Sequence, residues 1–143
     1  LWREYGGKAV MEKEYYHSGR ESGRQKTDEE YYQDLEAFAD GYRIERVVLD
    51  PSAASFAECI RRHGKFSVWK ANNAVLDGIR FTGACIKRGI IKFHESCKNA
   101  FREFGLYSWD KDAGEDRVIK ENDHVCDSIR YFCMTVLRRE IKK

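Results

Sequence analysis

The strongest constraint on how this chain folds is a repeated handover from a short β-branched or aromatic run to a stretch with helical spacing. Ile44 to Asp50 (IERVVLD), Phe66 to Trp69 and Ile90 to Phe93 are too short for helices and rich in residues that fit a pleated surface. Helical stretches over 53–63, 73–88 and 96–104 follow them, and Gly64 and Gly89 stop the first two. The VVL of the first run is continuous rather than alternating, which suits a strand covered on both faces. Strands alternating with helices predict a three-layer α/β domain with a partly parallel sheet.

The flanks fit this plan. Leu1-Trp2 reads as the end of a strand, Gly6-Gly7 as a hairpin turn, and residues 8–17 as a second strand with Ala9, Met11 and Tyr15 alternating. A polar loop runs from Ser18 to Lys26. Thr27 with Glu30 then forms a capping box that opens a helix carrying Tyr31, Leu35 and Phe38 on one face and ending at Gly41. In the helix over 73–88, Val75, Ile79 and Ile86 are expected inward. Tyr107 to Lys120 is polar and irregular. The final helix, 121–140, is the longest and carries Ile129, Phe132, Val136 and Leu137.

At 143 residues the whole chain, 1–143, reads as one domain. Its net charge of +2 means that any nucleic-acid contact must come from a local basic patch. No apolar run approaches the roughly 20 residues of a membrane span, and no signal-peptide pattern opens the chain. The expectation is a soluble, intracellular protein without a membrane partner. Five cysteines, an odd number without a CxxC pair, argue against a zinc ribbon or a disulfide framework and for free thiols in the core.

Two places concentrate chemistry. Asp50 ends the most hydrophobic strand, where open α/β sheets bind ligands, although a helix cap before Pro51 explains an aspartate there equally well. The segment Glu121 to Asp127 (ENDHVCD) puts Asp123, His124 and Asp127 at the start of the last helix. His124 and Asp127 share a helical face, as do Asp123 and Asp127. Ordinary first-turn acids would look similar. A histidine among carboxylates points toward a divalent cation, Mg²⁺ or Mn²⁺. Acids on different elements are also what two-metal phosphodiester cleavage needs.

The segments VVLDPSAASF (47–56), WKANNAVLDGIR (69–80), FHESCKN (93–99) and ENDHVCDSIRYF (121–132) together resemble the C-terminal nuclease domain of phage terminase large subunits. The resemblance implies a ribonuclease H-like mixed sheet flanked by helices, and an endonuclease that cuts concatemeric viral DNA with two metal ions. It implies Asp50, Asp127 and His124 as catalytic and metal-binding residues, with Asp123 in a supporting position. Lys70, Asn72 and Asn73, with Lys87 and Arg88, become candidates for contacting DNA. Double-stranded DNA, a portal protein, a small terminase subunit and an ATPase domain are the implied partners, in the cytoplasm of a bacterial host. The family's first catalytic aspartate lies on an opening strand upstream of Leu1. The chain is therefore expected to lack that strand, to expose a sheet edge open to self-association, and to cut weakly or not at all.

Rival readings remain at this stage. One is a catalytically incomplete prophage fragment that only binds DNA or self-associates; another is a nuclease acting on RNA–DNA hybrids. No GxxxxGK[ST] motor motif occurs. His94-Glu95 lacks the second histidine of a zinc protease, since Lys98 stands there. His17 and His63 read as surface residues, Trp69 and Trp109 as packing. The basic runs Lys87-Arg88 and Arg138-Arg139 with Lys142-Lys143 read as solvated helix ends that also suit phosphates.

Overall fold

The computed structural model describes residues 1–17, 23–106 and 124–141. The chain divides into two compact units, one of Leu1–Glu14 with Asn72–Lys143 and the other of Tyr15–Ala71. Both are mixtures of short strands and helices.

In the first unit, β1 (Trp2–Tyr5) and β2 (Lys8–Met11) form an antiparallel hairpin across Gly6-Gly7. Both glycines have positive φ, 54° and 76°, the backbone that two-residue hairpin turns require. β2 also pairs in parallel with β5 (Ile91–Phe93), giving the order β1-β2-β5. The helices are α3 (Leu76–Lys87), α4 (Lys98–Leu106) and α5 (His124–Phe132). A π-helical turn (Cys133–Leu137) and the single turn α6 (Arg138–Ile141) continue α5. α3 packs on α5 and on the π turn, and α4 packs on α5. Trp2 stacks on Phe132 at 4.2 Å and meets Phe93 edge-on, so aromatic rings tie the hairpin to both β5 and α5.

The second unit contains α1 (Asp28–Ala39), β3 (Val47–Leu49), α2 (Ala54–His63) and β4 (Val68–Lys70). β3 and β4 form a parallel pair in which Leu49 faces Lys70. Tyr32, Ala39, Cys59, Ile60 and Phe66 form the core, with Leu35 and Phe56 packed against it.

The mixed α/β expectation holds, and the strands are shared between two sheets. Thr27 caps α1 as expected, its side chain accepting from the Glu30 N–H at 3.3 Å. Four expectations differ for identifiable reasons. The second strand ends at Met11 rather than at residue 17, because its last ladder bonds are Glu12 N–H to Leu1 and His94 N–H to Met11. Tyr15 instead donates to Asp34 at 2.6 Å and meets Phe38 edge-on. Ile86 is 41% exposed, since Gly78, Thr82 and Cys85 form the buried stripe of α3. α4 starts two residues late, after Ser96 N–H bonds the His94 ring. The last helix is interrupted by the π turn, whose five residues are all buried. That run of consecutive burial has no 3.6-residue period to reveal it.

All five cysteines are free and buried, the role expected for them. No helix among the described residues is long and apolar enough to cross a membrane.

Candidate functional site

The start of α5 is organised by two buried charged side chains. Glu103, on α4, is fully buried and accepts the Val125 N–H at 2.8 and 3.1 Å through its two oxygens. It supplies the cap that a helix N-terminus needs, from another helix. Burial holds its carboxyl above the usual range, opposed by the Val125 and Cys126 N–H groups. His124, the first residue of α5, is exposed next to this cap.

One turn on, Asp127 accepts from Arg130 at 3.0 Å, within the same helix. Arg130 is only 3% exposed. Its other terminal nitrogen donates to the carbonyls of Asn73 and Ala74 at 2.8 and 2.9 Å. One guanidinium thus joins Asp127 to the segment that leads into α3. Asn72 is fixed to the same region, its N–H donating to Thr135 Oγ1 at 2.9 Å. Its side-chain oxygen accepts from the Ala74 N–H at 3.2 Å. Gly78 makes the arrangement sterically feasible, since a Cβ there would lie 2.8 Å from Arg130 Cγ and Cδ. The structure therefore brings Asp127, Asn72 and Asn73 into one polar knot around the buried Arg130. Arg130 and Glu103 escaped the sequence reading. The Asp-x-x-Arg spacing was the available signal for the first; nothing local marks the second.

In the other unit, Asp50 follows β3 directly and is half-buried. Its Oδ1 accepts the Ser52 N–H at 2.7 Å and the Ser52 hydroxyl at 2.5 Å. The helix cap considered for it lies elsewhere: α2 begins at Ala54, with Ala53 at the cap position. Lys70 ends β4 with its side chain exposed. Because Leu49 pairs with Lys70, Asp50 and Lys70 leave the same carboxyl end of the parallel pair, the end where such sheets carry ligands.

Lys87 and Arg88 are exposed at the end of α3. Arg138 is engaged with Asp77 at 2.5 Å and lies over the Phe81 ring. His17 contacts Tyr31, while Trp69 is covered by the Arg46 guanidinium at 4.6 Å, a packing role. His63 is exposed and yet stacked on Tyr32 and bonded to Glu29. Asp123, Trp109 and Lys142-Lys143 lie outside the described residues. As donors, Asp50 in one unit and His124 and Asp127 in the other offer carboxylate oxygen and imidazole nitrogen, atom types that suit Mg²⁺ or Mn²⁺.

No protein-family model matches the chain. The large terminase subunit of Escherichia phage T5 is 27% identical over 120 residues, covering 80% of this chain and 27% of that protein. The solved large terminase of a thermophilic bacteriophage, in complex with ADP, is 43% identical, with a TM-score of 0.92 over 95% of this chain and 35% of that one. The P22 large terminase nuclease domain shares the fold, with a TM-score of 0.56 and 24% identity over 84% of this chain and 68% of that one. The fold is thus one that phage large terminases contain. The chain itself is homologous to part of a phage terminase large subunit, and it spans between about a quarter and a third of the length of the large terminases it matches.

Proposed function

We propose that this chain is nuclease-domain sequence of a DNA-packaging terminase, ribonuclease H-like in fold, and that it takes part in cutting concatemeric double-stranded viral DNA. The fold shared with the P22 nuclease domain carries the reading. It is supported by an aspartate at the carboxyl end of β3 and by a histidine–aspartate pair opening α5. Asp50 and Asp127 would bind Mg²⁺ or Mn²⁺, with His124 as a further ligand or a proton-transfer group. Two such ions, when bound, activate the attacking water and stabilise the leaving oxygen. Arg130 holds Asp127 against the Asn73–Ala74 backbone, fixing the direction from which it meets a cation. Lys70 and the exposed Lys87 and Arg88 offer cations to the phosphate backbone, a contact that fixes register without reading sequence. The place of action is the cytoplasm of the bacterial host, beside a portal, a small terminase subunit and an ATPase domain.

Supercoiled plasmid is incubated with Mn²⁺ and a terminase-length protein carrying this segment. Metal-dependent nicking and linearisation are expected, with Asp50→Asn and Asp127→Asn each lowering the rate at least ~100-fold, the scale on which a lost transition-state contact acts. Unchanged cleavage in either variant would remove that residue from the mechanism.

A further inference from the structure

Glu29, Cys59 and His63 form a second donor cluster, confined to the Tyr15–Ala71 unit and sharing no residue with the proposed nuclease site. Cys59 and His63 are four apart on α2, so they project from one face. Glu29, in the first turn of α1, meets both: its Oε1 accepts the Cys59 thiol at 3.3 Å, and its Oε2 lies 2.9 Å from His63 Nε2. One sulfur, one nitrogen and one oxygen all lie within 4.8 Å of one another. We propose that this triad is a binding site for a zinc-class divalent cation, with Glu29, Cys59 and His63 as three protein ligands and a fourth position left to solvent.

Four observations support the site. Ligands held at zinc distances around a tetrahedral ion lie roughly 3.3–3.5 Å apart, and Glu29 already stands at 3.3 Å from the Cys59 sulfur and 2.9 Å from His63 Nε2, with all three donors inside 4.8 Å. The plane of the His63 ring is set by Tyr32, which stacks on it at 3.7 Å and 7°. Cys59 is fully buried whereas His63 and Glu29 are exposed, so the site has a dry wall and an open entrance. A thiolate–imidazole–carboxylate set also selects zinc-like ions over Mg²⁺. Burial raises the Cys59 thiol and Glu29 raises it further, so Cys59 is not poised as a nucleophile. The metal replaces the thiol proton that now points at Glu29, and binding therefore weakens as pH falls. The Arg62 cation beside Cys59 opposes the incoming charge.

His63 closes the C-terminal end of α2, a helix of 10 residues and so about 15 Å long, whereas Asp50 precedes its N-terminal end. The site thus stands apart from Asp50.

Co²⁺ replaces zinc as an optical probe in a titration of the reduced chain. A thiolate-to-cobalt charge-transfer band is expected, with the intense visible absorption of a tetrahedral ion. It should saturate at one equivalent, be removed by Zn²⁺ and resist excess Mg²⁺. Cys59→Ser should abolish the band. Glu29→Gln and His63→Gln change exposed side chains, so the fold is kept, as a thermal melt will confirm. Each should weaken Co²⁺ binding more than about 10-fold, beyond the lower end of what a supporting partner costs. Absence of the band in the unmodified chain overturns the site. So does its persistence in Cys59→Ser, which would assign it to another of the five thiols, and so does unchanged affinity in both exposed-residue variants.

Discussion

The two aspartates offered for chemistry are held in opposite ways. Asp127 is fixed by a nearly buried guanidinium that also grips two backbone carbonyls more than fifty residues away in sequence. Asp50 is fixed by the residue two places on, through the Ser52 N–H and hydroxyl. One holder is tertiary and the other is local. A tertiary clamp fails together with the packing around it, while a local turn survives most changes elsewhere in its unit.

This difference sets the order of the expected effects. Arg130→Met should be the most damaging, because it removes the hydrogen bonds that a nearly buried guanidinium makes to Asp127 and to the Asn73 and Ala74 carbonyls. A loss of about 3–5 kcal/mol is expected, the range for breaking one side of a buried pair, measured by urea denaturation. A loss under about 1 kcal/mol would mean that water replaces the clamp and that the contrast with Asp50 is false. Gly78→Ala comes next. The added methyl would sit 2.8 Å from Arg130 carbons, and overpacking of this kind costs about 1–3 kcal/mol. A crystal structure of the variant should show Arg130 displaced from Asp127. Ser52→Ala removes one hydroxyl donor and leaves the N–H bond to Asp50, so about 1 kcal/mol or less should be lost. An effect as large as that of Arg130→Met would show that the Asp50 turn is not self-contained.

The subtlest effect concerns pH. Glu103 has a raised carboxyl pKa in the fold, so the folded state binds its proton more readily than the unfolded chain. Its ionised form therefore costs stability above the raised pKa, and the cost is relieved as pH falls toward the unfolded value of 4.5. Relative to Glu103→Gln, the unmodified protein should gain stability on mild acidification. Parallel stability–pH curves for the two proteins would contradict this.

Much of this was legible in the sequence wherever the cause is local. The Gly6-Gly7 hairpin, the Thr27 cap and the helix stops at Gly41, Gly64 and Gly89 depend on backbone preferences of a few neighbouring residues. Asp50 at the end of β3 and the His124–Asp127 spacing were visible for the same reason. The knot around Asp127 was not, because Arg130 looks like any helix-surface arginine until Gly78 and the Asn73 carbonyl are brought to it. Likewise His63 reads as a surface residue. Only the packing of α1 on α2 sets Glu29 and Tyr32 against it. The three-residue lengths of β3, β4 and β5 were overestimated, since apolar runs show where strands can form and pairing partners decide where they end.

The π turn at Cys133–Leu137 has a consequence for chain length. A π turn holds one residue more than the α-helical turn it replaces, so α5 and α6 are joined with one residue of slack. Deleting a single position there would let the segment relax to ordinary α-helix while Ile129 and Arg138 kept their faces. Elsewhere in α5 the same deletion would rotate everything after it by about 100°. This turn is therefore the place in the helix where the gene could lose a codon and keep the protein.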